Sequence, residues 1–439
     1  MIFKALRIAL TCLAFPFAAF ATPYCDALLD SDALPSKYAR LAPIHSSTET
    51  GWIFTDEMLS EEYEMKESNL ALVQGIVDAF AERRVPLAIV VAPPRSIVAG
   101  QDVVDATVGK GAHDVAAARA SFEAMIAQLR STGAIVPDLV AVATSSDAVR
   151  QNYYFKRDTH WSAIGAAFSM QALSAEVAAA HPALDIQVAS APTIGPDTEE
   201  EKGSLAAIVR QVCKADLPRE TFALSDFPSR GGDLLGASAD SAPVVLLGTS
   251  FSNRYKTDLY RVGDALAWAL DREVENLSAT GTGMIGVIEG FVLNGGLDRE
   301  PSLVVWEVPY SESFNAASNL RQLLGALRTA EKTPGTLVAS TQGDAQLEFG
   351  AVQPDLLIIR SGNTDPIDLR VRVELASGAT KTIKLRRRDR VPTGLRGDTL
   401  AASLTGFSSD ILSIEVDVKS GASLEDLRLE AHRSITPSK

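Results

Sequence analysis

Cysteine, histidine, aromatic side chains and positive charge are all scarce in this 439-residue chain, and each scarcity excludes something. Three cysteines and five histidines show no zinc-ligand spacing, so no metal is expected. Gly281-Thr282-Gly283 lacks the remaining spacing of a phosphate-binding loop, so no nucleotide cofactor is expected either. Lysine and arginine number 41 against 55 aspartates and glutamates, a formal charge of -14, which argues against non-specific nucleic-acid binding. Beyond the N-terminus no uninterrupted apolar run reaches the roughly 18 residues of a membrane span, so the mature chain is expected to be soluble.

Residues 1–21 read as an export signal. Lys4 and Arg7 give a positive start, residues 8–20 are apolar, and Ala19-Phe20-Ala21 fits a small-x-small cleavage site. Loss of Lys4 and Arg7 takes the formal charge from -14 to -16, and loss of Cys12 leaves Cys25 and Cys213 in an oxidising compartment. A disulfide between them is the natural pairing, two unpaired buried thiols the alternative. In the chain-entropy model such a long closure stabilises by roughly 4–5 kcal/mol before strain.

The remaining length exceeds one ordinary core, and the expected division is residues 22–333 and 334–439. From about residue 50 to 330, helical and strand patterns alternate. Val73, Ile76, Val77 and Phe80 share a helical face, and Leu87-Ala88-Ile89-Val90-Val91 is a buried-strand run ended by Pro93-Pro94. Phe122, Met125, Ile126 and Leu129 repeat the helical stripe before a short strand beginning Ala134-Ile135-Val136. Ser162 N-caps another helix, and residues 243–247 and 303–308 are further strands. Such alternation predicts an α/β fold with a mostly parallel sheet covered on both faces, and sites at the strands' carboxyl ends. Glu199-Glu200-Glu201-Lys202 reads as a solvated loop. After residue 335, short runs at 346–349, 355–360, 369–375, 380–386, 411–418 and 424–430 alternate apolar and charged residues, predicting an antiparallel β-sandwich.

Two distant stretches carry the chemistry. Arg157-Asp158-Thr159-His160-Trp161-Ser162 sets a carboxylate two residues before an imidazole, and Val244-Val245-Leu246-Leu247-Gly248-Thr249-Ser250 ends an apolar strand in a small-residue turn with a serine. A serine hydroxyl needs an adjacent base, and the base needs a carboxylate that fixes its tautomer. His45 and His113 lie in polar loop contexts, His181 ends a helix and His432 is in the tail, which leaves His160 as the base, Asp158 as its orienter and Ser250 as the nucleophile. Amides at Ser250 or its neighbours can help hold an oxyanion.

The run from Tyr154 through Asp158-Thr159-His160-Trp161 to Ala166, followed about ninety residues later by Leu247-Gly248-Thr249-Ser250-Phe251-Ser252, resembles the AlgX/AlgJ family of periplasmic alginate O-acetyltransferases. Gly51-Trp52-Ile53-Phe54, Pro93-Pro94-Arg95 and Val304-Val305-Trp306-Glu307-Val308-Pro309 extend the resemblance over about residues 45–330. It implies a circularly permuted, SGNH hydrolase-like α/β/α sandwich, with the Asp-x-His element ahead of the serine. The two-domain plan and both cysteine positions favour the AlgX-like branch, whose C-terminal β-sandwich resembles a carbohydrate-binding module.

Residue by residue, the resemblance implies Ser250 as nucleophile, His160 as base and Asp158 as its partner, with Tyr255 and Arg95 as substrate-binding positions. It also implies an acidic polysaccharide acceptor, a periplasmic location, and an acetyl donor supplied through a membrane-bound O-acyltransferase system. The C-terminal region departs from the pattern, holding no Trp or Tyr and only Phe349 and Phe407, so ring stacking is not expected to carry sugar binding. Its basic run, including Arg386 and Arg388, could instead hold uronate carboxylates; the competing reading is a solvated strand and loop. Two other functions compete: an exported carbohydrate acetylesterase using the same triad, and a non-catalytic polysaccharide-binding or assembly protein.

Overall fold

The structure, a computed structural model, describes residues 23–107, 113–226, 243–253, 261–330 and 335–434. The expected export signal, the expected domain boundary at 333/334 and Tyr255 lie outside the described residues.

Strands β1 (Leu87–Val91), β2 (Val244–Leu247), β3 (Val274–Asn276) and β4 (Leu303–Val308) form one sheet in the order β1-β4-β2-β3, with every pair parallel. Both faces are covered, so β1, β2 and β4 are apolar nearly throughout rather than alternating. Val90, Leu246 and Val305 enter one core, whereas Ile89, Leu247 and Trp306 enter the other. Among the described residues, the helices of eight or more residues are α1 (Glu67–Glu82), α2 (Val115–Ser131), α3 (Ala163–Ala180), α4 (Ser204–Cys213), α5 (Val262–Leu270), α6 (Gly286–Leu293) and α7 (Ala317–Thr329). Residues of α3, α4 and α5 build the first core; those of α1, α2, α6 and α7 build the second. Helix α3 has the length and hydropathy of a membrane span, yet 56% of it is buried inside the protein, as in a core helix.

Three local readings change. The strand expected from Ala134 shrinks to a single parallel bridge between Ala88 and Ile135, because Pro137, two residues on, has no N–H to continue a ladder. Residues Thr193–Glu201 pair with Glu220–Asp226 as a two-stranded antiparallel sheet, so Glu199 to Glu201 lie on a strand rather than in a solvated loop. Strand β3, three half-buried residues long, carries too little periodicity to be read from sequence.

Beyond residue 335, β5 (Thr336–Gln342), β6 (Gln346–Glu348), β7 (Leu356–Arg360), β8 (Ile367–Leu375), β9 (Thr380–Arg387), β10 (Thr399–Ser403), β11 (Ile411–Ser420) and β12 (Arg428–Arg433) make two antiparallel sheets, ordered β6-β11-β8-β9 and β10-β7-β12-β5. Along β8, Leu369, Val371 and Val373 are buried while Arg370, Arg372 and Glu374 are exposed, the period-two signature seen in the sequence. The run at 424–430 becomes a short 3-10 turn at Leu424–Asp426 and then β12. These sheets rest on α7, whose Arg321 donates to Ser403 O and Thr405 O at 3.0 and 2.7 Å.

Cys25 and Cys213 form the expected disulfide, with Cα atoms 5.6 Å apart across 188 residues of sequence. It fastens the N-terminal segment to the last residue of α4.

Candidate active site

Ser250 stands in the turn that follows β2, at the carboxyl edge of the parallel sheet. Ser252 and Asn253 both donate their amides to Thr249 O at 3.1 Å, which winds the turn tightly. Gly248 permits it to lie against β4: a Cβ there would sit 2.5 Å from Glu307 Oε2. Asn253 Nδ2 donates to Ser278 O, and Thr280 Oγ1 donates to Asn253 O, so the loop after β3 braces the turn from outside.

Asp158 and His160 come from a closed loop between Tyr154 and Trp161, which pair as an antiparallel bridge. The loop ends where Ser162 Oγ accepts the amides of Ile164 and Gly165, the expected N-cap of α3. Trp161, fully buried, donates its indole N–H to Phe251 O at 2.9 Å and so ties this loop to the Ser250 turn. Phe251 also packs its ring 4.9 Å from the His160 ring.

His160 bridges the other two side chains. Its Nδ1 lies 2.5 Å from Asp158 Oδ1, and its Nε2 lies 2.8 Å from Ser250 Oγ. A carboxylate can only accept, so Nδ1 carries the proton and Nε2 is the acceptor for the serine hydroxyl. Asp158 is buried and Ser250 half-buried, so the line runs from the interior toward solvent. At its inner end, Ser204 donates its amide to Asp158 Oδ2 at 2.6 Å. Leu205 and Ala206 both donate to Arg157 O at 3.1 Å, so the first turn of α4 is capped by the segment holding Asp158. Gly203, at φ +73°, allows this approach; a Cβ there would meet Arg157 O at 2.2 Å. An imidazole held this way can take the proton of the serine as its oxygen attacks a carbonyl.

The expected binding positions fare differently. Arg95 is fully buried and its guanidinium is engaged by backbone, donating to Ile53 O at 2.9 Å, Phe155 O at 2.7 Å and Lys156 O at 3.0 Å. The same group lies over the rings of Trp52 and Phe54, so it braces the segment that leads into the Asp-x-His loop. Arg386, at the end of β9, is held in an ion pair by Asp368. Arg387 is buried and donates to Asp365 O, Gly397 O and Asn363 O. Arg388 lies against the loop that braces the Ser250 turn, its Cζ 2.7 Å from where a Cβ on Gly283 would be. Phe349 and Phe407 pack against the core between the two antiparallel sheets, and Phe407 lies beneath the Arg321 guanidinium.

Two residues at the end of β4 join the site without having been singled out in the sequence. Tyr310, fully encased, donates to Thr159 O at 3.2 Å, and burial drives its phenol well above the ordinary range. Glu307, fully buried under the Ser250 turn, is pushed up to about 7 by burial. Their signal was positional: the carboxyl end of a buried parallel strand is where such sheets carry polar site residues. A cavity of about 320 Å³ is bordered by Lys156, Arg157, Ser162 and Arg219, but by none of Asp158, His160 and Ser250.

Residues 47–310 match the family model described as SGNH hydrolase-like domain, acetyltransferase AlgX. The chain belongs to this family. Among its relatives, the alginate biosynthesis protein AlgX of Azotobacter vinelandii is 26% identical over 347 residues, covering 77% of this chain and 69% of that protein. The probable alginate O-acetylase AlgJ of Pseudomonas aeruginosa is 28% identical over 292 residues, covering 62% of this chain and 71% of that one. The solved structure of Pseudomonas aeruginosa AlgX superposes with a TM-score of 0.69 at 17% identity, over 93% of this chain and 98% of that chain. That likeness reaches both the parallel-sheet unit and the antiparallel sheets, so the AlgX-like architecture holds along nearly the whole molecule.

Proposed function

We propose that the protein is a periplasmic O-acetyltransferase that moves an acetyl group through acetyl-Ser250 onto hydroxyls of an acidic exopolysaccharide such as alginate. The observation that carries this reading is the position of His160, within hydrogen-bond distance of both Asp158 and Ser250. Membership of the AlgX family and the relatives named for alginate biosynthesis and alginate O-acetylation support the substrate class.

In the first half-reaction, Ser250 Oγ attacks the acetyl carbonyl while His160 Nε2 takes its proton. Asp158 stabilises the resulting imidazolium, and the Ser250 amide, which has no partner among the described residues, can receive the oxyanion. The carbonyl re-forms, the donor's leaving group departs with the proton from His160, and acetyl-Ser250 remains. In the second, an acceptor hydroxyl attacks the acetyl carbon as His160 takes its proton, and Ser250 Oγ recovers that proton as it leaves. Transfer prevails over hydrolysis when the acceptor is positioned better than water. Among the described residues Arg388 and Arg390 lie against the loop that braces the turn, and in this reading they hold a uronate carboxylate near this rim. The donor in this reading is an acetyl ester delivered through a membrane-bound O-acyltransferase system.

Purified protein is incubated with an acetyl ester and an oligouronate acceptor, and both the products and Ser250 are examined by mass spectrometry. Acetylated acceptor together with an acetyl adduct on Ser250 is expected, and both disappear in Ser250→Ala. Free acetate that no acceptor can reduce identifies an esterase. Unchanged acceptor acetylation by folded Ser250→Ala would exclude the serine mechanism.

A further inference from the structure

The acyl-transfer line makes no use of the acid lying directly beneath it. Glu307 is the penultimate residue of β4, fully buried, and takes three donors from the nucleophile turn. Its Oε2 accepts the Thr249 amide at 2.7 Å, the Thr249 hydroxyl at 3.1 Å and the Ser252 hydroxyl at 3.1 Å. We propose that Glu307 is a positioning residue for catalysis: it anchors the inner side of the turn so that the Ser250 amide remains the outward donor for the oxyanion. This inference rests on the acetyl-serine reading of Ser250.

The turn's hydrogen bonds argue for it. A buried amide must find an acceptor, and from Thr249 to Asn253 four of five do so inside the turn or against Glu307. Thr249 N–H goes to Glu307, Phe251 N–H to Thr249 Oγ1, and the Ser252 and Asn253 amides to Thr249 O. Ser250 N–H alone has no partner among the described residues, and it belongs to the residue whose Oγ faces His160. Without Glu307 the Thr249 amide and both hydroxyls would need other acceptors, and the backbone could satisfy them only by turning peptides that now aim at the site.

Packing alone does not ask for an acid here. A carboxyl group withdrawn from water is costly unless hydrogen-bonded, and the neighbouring positions on β4 are filled by Val305, Trp306 and Val308. An apolar side chain would pack as well but could not accept the Thr249 amide. The absence of a Cβ at Gly248 supplies the room for this contact, since Glu307 Oε2 occupies the space a side chain would need.

The test uses p-nitrophenyl acetate as acetyl donor, following acetyl-Ser250 formation, kcat, KM and the thermal midpoint in wild type, Glu307→Leu, Glu307→Gln and Thr249→Val. Glu307→Leu should slow acylation by about 100-fold or more, the scale of a lost oxyanion donor, with KM within about twofold of wild type. Glu307→Gln, which keeps a carbonyl acceptor of the same size, should recover at least about tenfold of that loss. Thr249→Val, isosteric and lacking the hydroxyl, should fall by about tenfold and stands in if Glu307→Leu does not fold. Acylation at the wild-type rate in folded Glu307→Leu or in Thr249→Val overturns the proposal, as does a Gln variant no faster than Leu. Failure of wild type itself to form acetyl-Ser250 instead overturns the reading on which it rests.

Discussion

A guanidinium surrounded by carbonyl oxygens and shut off from solvent holds backbone together, and this is the situation of Arg95. Replacing it with Met would leave Ile53 O and Phe155 O without this donor and Lys156 O with only the Ile53 amide. A loss of about 3–5 kcal/mol is expected in urea unfolding, with lower activity because the Asp-x-His loop slackens. Arg95 also marks a limit of sequence reading. Its place beside Pro93-Pro94 at a strand's carboxyl end is equally suited to a ligand or a brace, and only burial separates the two. The grouping of His160, Asp158 and Ser250 was legible because the proposed acyl transfer would need those three residue types. Glu307 and Tyr310 were not, because their roles come from which backbone atoms the fold brings above them.

Buried acids give a second residue-scale expectation. Burial pushes the carboxyl of Glu289 up to about 7 from an ordinary 4.5, against the opposing effects of Gln322 and Arg387. Between those values the folded protein binds a proton that the unfolded chain has released, so stability falls as pH rises through the window and the contribution is flat above it. A shift of this size corresponds to roughly 3 kcal/mol. Glu289→Gln should therefore lose less stability than wild type between about pH 5 and about pH 8 in urea unfolding at matched salt. An equal fall in the two proteins would mean Glu289 stays ionised throughout.

At the scale of elements, the contact between α4 and the Asp-x-His loop is the joint most exposed to a single change. The helix's first amides are consumed by Arg157 O and Asp158 Oδ2, and Gly203 makes room for them. Gly203→Ala introduces a Cβ into the Arg157 carbonyl and a left-handed φ that alanine resists. Loss of about 1–3 kcal/mol of stability is expected, with kcat lowered by tenfold or more as Asp158 shifts and KM for a small acetyl ester little changed. Steady-state kinetics alongside a melting curve checks both parts. The sequence disclosed α3 through its cap and apolar stripe, but no local pattern ties residue 203 to residue 157. The same holds for strand β3 and the strand pair from Thr193: their partners are remote and their own periodicity is weak.

Across the whole molecule, one helix is held by both the parallel-sheet unit and the antiparallel sheets. Leu320, Leu323 and Leu324 of α7 fill the second core of the parallel sheet, while Arg321 reaches Ser403 O and Thr405 O and Gln322 links Glu289 to the backbone of Arg386. Because α7 is pinned from both sides, the antiparallel sheets hold Arg388 against Gly283, and the same loop braces Asn253 of the Ser250 turn through Thr280. An acceptor held by that arm would meet acetyl-Ser250 at a fixed distance, the condition under which a sugar hydroxyl outcompetes water. Arg321→Ala removes the donor to Ser403 O and Thr405 O and the cation over Phe407, without touching the Ser250, His160 and Asp158 contacts. The antiparallel sheets should then dock less firmly, and the ratio of acceptor acetylation to acetate release should drop by roughly tenfold, while acetyl-Ser250 still forms from a small ester. Measuring both products in one reaction separates the outcomes: a fall in the ratio means docking positions the acceptor, whereas an unchanged ratio in a loosened variant means the parallel-sheet unit positions it alone.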